Sequence, residues 1–72
     1  MKETFLPRSS ENIAQVDYDS DEQKMTITFK SDGRVYEYSS VPQSVFMGIQ
    51  NAPSAGSYFY RQIRGRYADT EI

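Results

Sequence analysis

Met25-Thr-Ile-Thr-Phe-Lys-Ser-Asp-Gly-Arg-Val-Tyr-Glu-Tyr-Ser39 is the stretch that decides the fold. Met25, Ile27 and Phe29 alternate with Thr26, Thr28 and Lys30, a period of two carrying β-branched residues, which is the pattern of a half-buried strand. Ser31-Asp32-Gly33 then reads as a hairpin, because Asp-Gly tolerates the positive φ values that primed turns demand. Residues 34–39 return as a strand that sets Tyr36 and Tyr38 on one face. Upstream, residues 12–18 read as a preceding strand with Ala14, Val16 and Tyr18 on one face and Ile13 on the other. Asp19-Ser-Asp-Glu22 supplies the turn between these two strands.

The period changes at Val41-Pro42, since proline suits the first turn of a helix and drives the residue before it into extended backbone. Val45, Phe46, Ile49 and Ala52 recur at helical spacing until Pro53 stops the helix. Ser54 is a natural N-cap for a second helix. Its apolar arc holds Ala55, Gly56, Phe59 and Ile63, bordered by Tyr58 and Tyr60, while Ser57, Arg61 and Arg64 occupy the opposite face. Gly65 is placed to end that helix in a left-handed cap, with Arg66 and Tyr67 at its exit. The expected class is α+β: a three-stranded antiparallel β-meander with two C-terminal helices packed on one face.

A chain of 72 residues makes one domain. Its core is small, so six Tyr and four Phe must supply most of the buried area. The domain is expected over residues 9–67, with an N-terminal arm at 1–8 and a C-terminal tail at 68–72. Absence of cysteine fits a reducing compartment, and absence of both His and Cys removes the common zinc ligands. The N-terminus has only a two-residue apolar run, Phe5-Leu6, and so is no signal peptide or membrane span. A soluble cytoplasmic protein with no membrane role and no cofactor is expected.

Formal net charge is −2, which opposes binding of nucleic acid by bulk electrostatics alone. The charges are segregated, however. Asp17, Asp19, Asp21 and Glu22 gather early in the chain, whereas Arg61, Arg64 and Arg66 cluster near its end. Asp17-x-Asp19-x-Asp21 resembles the opening of a calcium loop, but Glu22 stands at the sixth position, where a glycine turns, and Thr28 at the twelfth, where a glutamate chelates. A solvated acidic hairpin is the expected reading, and no metal site. Without histidine to act as base for a serine, and without paired carboxylates in a cleft-forming segment, no catalytic residues are assigned.

Ser9-Ser10, Ile13, Val16-x-Tyr18-Asp19, the alternating strand, a glycine turn, Tyr36-x-Tyr38, Val41-Pro42, Ala52-x-Ser54-x-Gly56-x-Tyr58-Phe59 and Ile63-Arg64-Gly65-x-Tyr67 follow one another in this order. Together they resemble the KTSC domain, a family found at the C-terminus of some bacterial lysyl-tRNA synthetases and as stand-alone small proteins of bacteria and their viruses. Asp17 stands where glycine is common in that pattern, and Tyr60 where asparagine is common. Attachment to a tRNA-charging enzyme implies an RNA-binding role.

The expected contact surface is therefore Ser57, Tyr58, Tyr60, Arg61, Arg64 and Arg66, with arginines on phosphates and tyrosines stacked on bases or on a partner's side chains. The bland alternative is a solvated helix face whose arginines pair with Asp69 or Glu71. Tyr36, Tyr38 and Phe59 are either core aromatics beneath the helices or, for the first two, a stacking platform. The partner is RNA or another single-stranded nucleic acid, or else a protein that this chain serves as adaptor or inhibitor. Unpaired edges of a three-stranded sheet would also let two copies pair.

Overall fold

The computed structural model describes residues 1–7 and 12–72. Among the described residues its sheet has five strands, not three: β1 (Lys2–Phe5), β2 (Ile13–Asp19), β3 (Lys24–Phe29), β4 (Val35–Tyr38) and β5 (Asp69–Glu71). They lie in the order β1-β2-β3-β4-β5 with every neighbouring pair antiparallel. The expected meander forms its centre. Residues read as an arm and a tail add the two edges, because the outer rims of β2 and β4 carry unpaired backbone groups that a short extended segment satisfies. Neither segment is long enough to display a periodicity, and β5, Asp-Thr-Glu, has two residues that strands disfavour.

The registers explain the core. Phe5, Val16, Ile27, Tyr36 and Glu71 form one cross-strand row, and Glu3, Tyr18, Met25, Tyr38 and Asp69 the next. Both rows lie on the helix side. Ile13, assigned to the other face by simple alternation, is also buried there. A bulge is the reason: Ile13 pairs with Phe29 and Gln15 with Thr28, so Ala14 is an extra residue that returns Ile13 to the core side.

One of the two turns differs from expectation. The β3–β4 hairpin is no two-residue primed turn: residues 30–33 form its loop, Phe29 N–H donates to the Arg34 carbonyl at 2.9 Å, and Gly33 alone takes a left-handed φ of 71°. Asp32 instead accepts from the Arg34 N–H through its side chain at 3.0 Å. At the β2–β3 turn, Asp21 N–H donates to the Asp19 carboxylate at 3.0 Å. Asp17 accepts from the Thr4 hydroxyl at 2.7 Å and from the Gln15 amide at 2.9 Å. Among the described residues no group of three or more His, Cys, Asp or Glu could hold a metal ion.

Helix α1 (Gln43–Asn51) starts after Pro42, which serves as its cap, and ends at Ala52, whose extended backbone obeys the restriction set by Pro53. It buries Phe46 and Ile49 on the sheet. Phe46 stacks on Tyr18 with centroids 5.0 Å apart, and the Tyr18 hydroxyl donates to the buried Val41 carbonyl at 2.6 Å. Helix α2 (Ala55–Tyr58) crosses the same face, its cap Ser54 accepting from the Ser57 N–H at 3.3 Å. No helix among the described residues is long and apolar enough to cross a membrane.

Candidate functional site

Helix α2 continues directly into a π turn, Phe59–Ile63. Its closing bond runs from Arg64 N–H to the Phe59 carbonyl at 2.9 Å, an i→i+5 step that adds a residue to the turn. That extra residue breaks the stripe read from ideal helical spacing. Arg61 lies back along the outer face, its Nε donating to the Ser57 carbonyl at 3.4 Å. Arg64 is instead brought over Tyr60, its guanidinium carbon 5.2 Å from the ring centroid, a cation–π arrangement on a ring that is 53% exposed.

The exit is a type II turn rather than a helix cap. Arg64 has φ −61° and ψ 124°, Gly65 has φ 77°, and Arg66 N–H donates to the Ile63 carbonyl at 3.0 Å. Only glycine is at ease at that third position. The turn folds Arg66 back, so that its Nε donates to the Arg61 carbonyl at 3.0 Å.

Phe59 is the hub beneath. It is buried and meets Phe29, Tyr38 and Tyr60 edge-to-face at 5.4, 5.7 and 5.7 Å. Between the π turn, the β3–β4 loop and β5 lies a groove of about 590 Å³ whose lining includes Tyr36, Tyr38, Phe59, Tyr60, Arg34 and Arg64. Strand β5 adds Asp69 beside Tyr38 and Glu71 beside Tyr36. Arg34 spans the end of the groove, 3.7 Å from Asp32 and 3.9 Å from Glu71. Its hydrogen bond with Tyr36, and next the charge of Glu71, raise its pKa. Burial, and then the neighbouring Asp69 carboxylate, push the Tyr38 hydroxyl up to about 12.

The anticipated residues thus divide. Tyr60 and Arg64 sit at the groove's mouth, while Ser57, Arg61 and Arg66 are exposed outside its lining. Tyr58 is turned inward: its ring lies over Gly48 of α1, where any Cβ would collide with the ring and hydroxyl. Tyr38 and Phe59 are core. Tyr36 is half-buried on the groove floor with its ring edge-to-face to Phe29 at 5.8 Å. Among the described residues no carboxylate lies within ion-pair distance of Arg61, Arg64 or Arg66; Glu71 pairs with Arg34 instead. Arg34 is absent from the expected surface, and Asp69 and Glu71 enter it only as partners for the helix arginines, not as groove wall. Arg34 follows the hairpin glycine and could have been weighed; nothing local marks β5 as a strand.

A family model described as the KTSC domain matches residues 9–67, of which Ser9-Ser10 lie outside the described residues. The lysine–tRNA ligase of Nostoc punctiforme is 46% identical over 55 residues, covering 76% of this chain and 10% of that protein. That of Trichormus variabilis is 44% identical over 55 residues with the same coverage. The chain therefore spans about a tenth of the length of the curated relatives it matches. The crystal structure of a KTSC domain protein from Yersinia pestis has a TM-score of 0.88 at 29% identity, covering 100% of this chain and 99% of that one.

Proposed function

This chain belongs to the KTSC domain family, and on that premise we propose that it is a non-catalytic interaction module binding single-stranded nucleic acid at the mouth of the aromatic groove. One observation carries the reading. Arg64 and Tyr60 form an exposed cation–π pair, and among the described residues no carboxylate is within ion-pair distance of that guanidinium. An aromatic ring backed by a guanidinium stacks on any base, and the charge serves an adjacent phosphate. Arg61 and Arg66, outside the groove, continue a path for the backbone. The lysine–tRNA ligases that contain a similar segment act, by their names, on an RNA.

Fluorescence anisotropy with labelled single-stranded RNA at two salt concentrations tests this. Affinity is expected to fall steeply with salt, because each neutralised phosphate releases condensed counterions. Tyr60→Ala is expected to weaken binding at both salt concentrations, and Arg64→Ala to flatten the salt slope as well. No binding at low salt removes the reading.

Asp32, Asp69 and Glu71 around the groove, with a net charge of −2, favour a second reading: docking of a protein segment by an adaptor or inhibitor. It predicts capture of a protein from lysate by the parent chain and not by Tyr60→Ala, with weak salt dependence.

A further inference from the structure

The groove has a polar side that stacking alone does not use. Aromatic floors accept all bases alike, so any discrimination must come from the groups at the rim. Those on β5 are carboxylates, which accept hydrogen bonds and donate none. Of the three in the lining, Asp32 and Glu71 stand beside Arg34. The Asp69 side chain accepts no hydrogen bond from any described residue, is exposed, and lies in register with Tyr38.

We propose that this groove takes a guanine base, with Asp69 as the residue that reads it. This deepens, and rests on, the single-strand reading above. Unstacked bases are recognised by their Watson–Crick edges. Guanine presents two adjacent donors there, N1–H and N2–H, which match the two oxygens of one carboxylate. Uracil presents a single N–H flanked by two carbonyl oxygens, and these oppose an acceptor-only group. Adenine and cytosine present one amino group beside a ring nitrogen acceptor. The half-exposed ring of Tyr60 stacks on the guanine face, and the Arg64 guanidinium behind it is left for the phosphate.

The test uses the full chain and labelled ten-nucleotide RNAs, one all uracil and others with a single central guanine, adenine or cytosine. The guanine oligomer is expected to bind at least about fivefold tighter than the uracil one, the low end of a bidentate base contact. Asp69→Asn is expected to erase that increment while binding the uracil oligomer at least as well as the parent, since it loses an anion. Glu22→Gln, far from the groove in the β2–β3 turn, is expected to keep the preference. Circular dichroism confirms that each variant retains the fold. Equal affinity for all four oligomers, or a preference that survives Asp69→Asn, overturns the guanine site and leaves single-strand binding standing. Failure of every oligomer to bind, with or without capture of an arginine-rich peptide, overturns both.

Discussion

Replacing Tyr18 by Phe removes one oxygen from the centre of the fold and leaves the ring in place. Tyr18 is 1% exposed, its ring stacks on Phe46 at 5.0 Å with 15° between planes, and its hydroxyl donates to the Val41 carbonyl at 2.6 Å. That carbonyl ends β4's exit and precedes the Pro42 cap, and Val41 itself is 0% exposed. In the variant the stack survives and the carbonyl loses its donor without gaining water. Leaving a buried acceptor unsatisfied costs about 1–3 kcal/mol. For a chain this small each kcal/mol lowers the thermal midpoint by about 4–8 °C. Tyr38→Phe is the internal control: its hydroxyl makes no hydrogen bond with a described residue, so its loss is expected to stay within about 0.5 kcal/mol. Urea titrations of parent and both variants, with the dependence on denaturant unchanged, measure the difference. A Tyr18→Phe protein as stable as the parent, or equal losses in the two variants, would refute the assignment of Tyr18 as the hydrogen-bonded pin between sheet and α1.

High pH should unfold the domain through the same two tyrosines. Burial raises both hydroxyls above their ordinary value, Tyr38 to about 12, so the fold favours the neutral form; that contribution is complete below about pH 10 and is lost as pH rises toward 12. Absorbance of tyrosinate alongside circular dichroism checks it, and ionisation of Tyr18 and Tyr38 near pH 10 with the fold intact would contradict it. Gly65→Ala forces a side chain into a φ of 77° and is expected to cost about 1–2 kcal/mol, reading out as a lower urea midpoint. Phe59→Ala removes the partner of three edge-to-face contacts and is expected to cost about 3–5 kcal/mol, enough to abolish cooperative melting in a domain of this size. A chain ending at residue 67 loses β5 and exposes the β4 edge, and is expected to self-associate in analytical ultracentrifugation, which the full chain is not.

Much of the frame was legible because its signals are local. The alternation over Met25–Phe29, the proline at 42 and the serine at 54 act within a few residues, and each lands where backbone sterics and hydrogen bonding require. Ile13 was misplaced because a period of two assumes one residue on β2 for each on β3, and the bulge at Ala14 breaks that count. Tyr58 was read as a surface ring because a helical wheel knows only angles; it cannot see that Gly48 on another helix leaves a seat for the ring.

The candidate site was legible in part for the same reason. Arginine and tyrosine at the end of the second helix are visible as types, so Tyr60 and Arg64 were found. Their spacing of four is one that an ordinary helix also brings together, so only the π turn that ends the helix at Ile63 left no mark in residue type.

What the amino-acid order determined alone is the meander, the two helices on one face and the aromatic identity of the core, since these follow from short-range periodicity and from breakers at fixed positions. Tertiary structure decided the two edge strands and the groove. Asp69 and Glu71 belong to a segment with little strand preference of its own, and they become a wall only because β4 offers its unpaired backbone edge. Backbone pairing between residues more than thirty positions apart is indifferent to side-chain pattern, and for that reason it leaves no trace in the sequence.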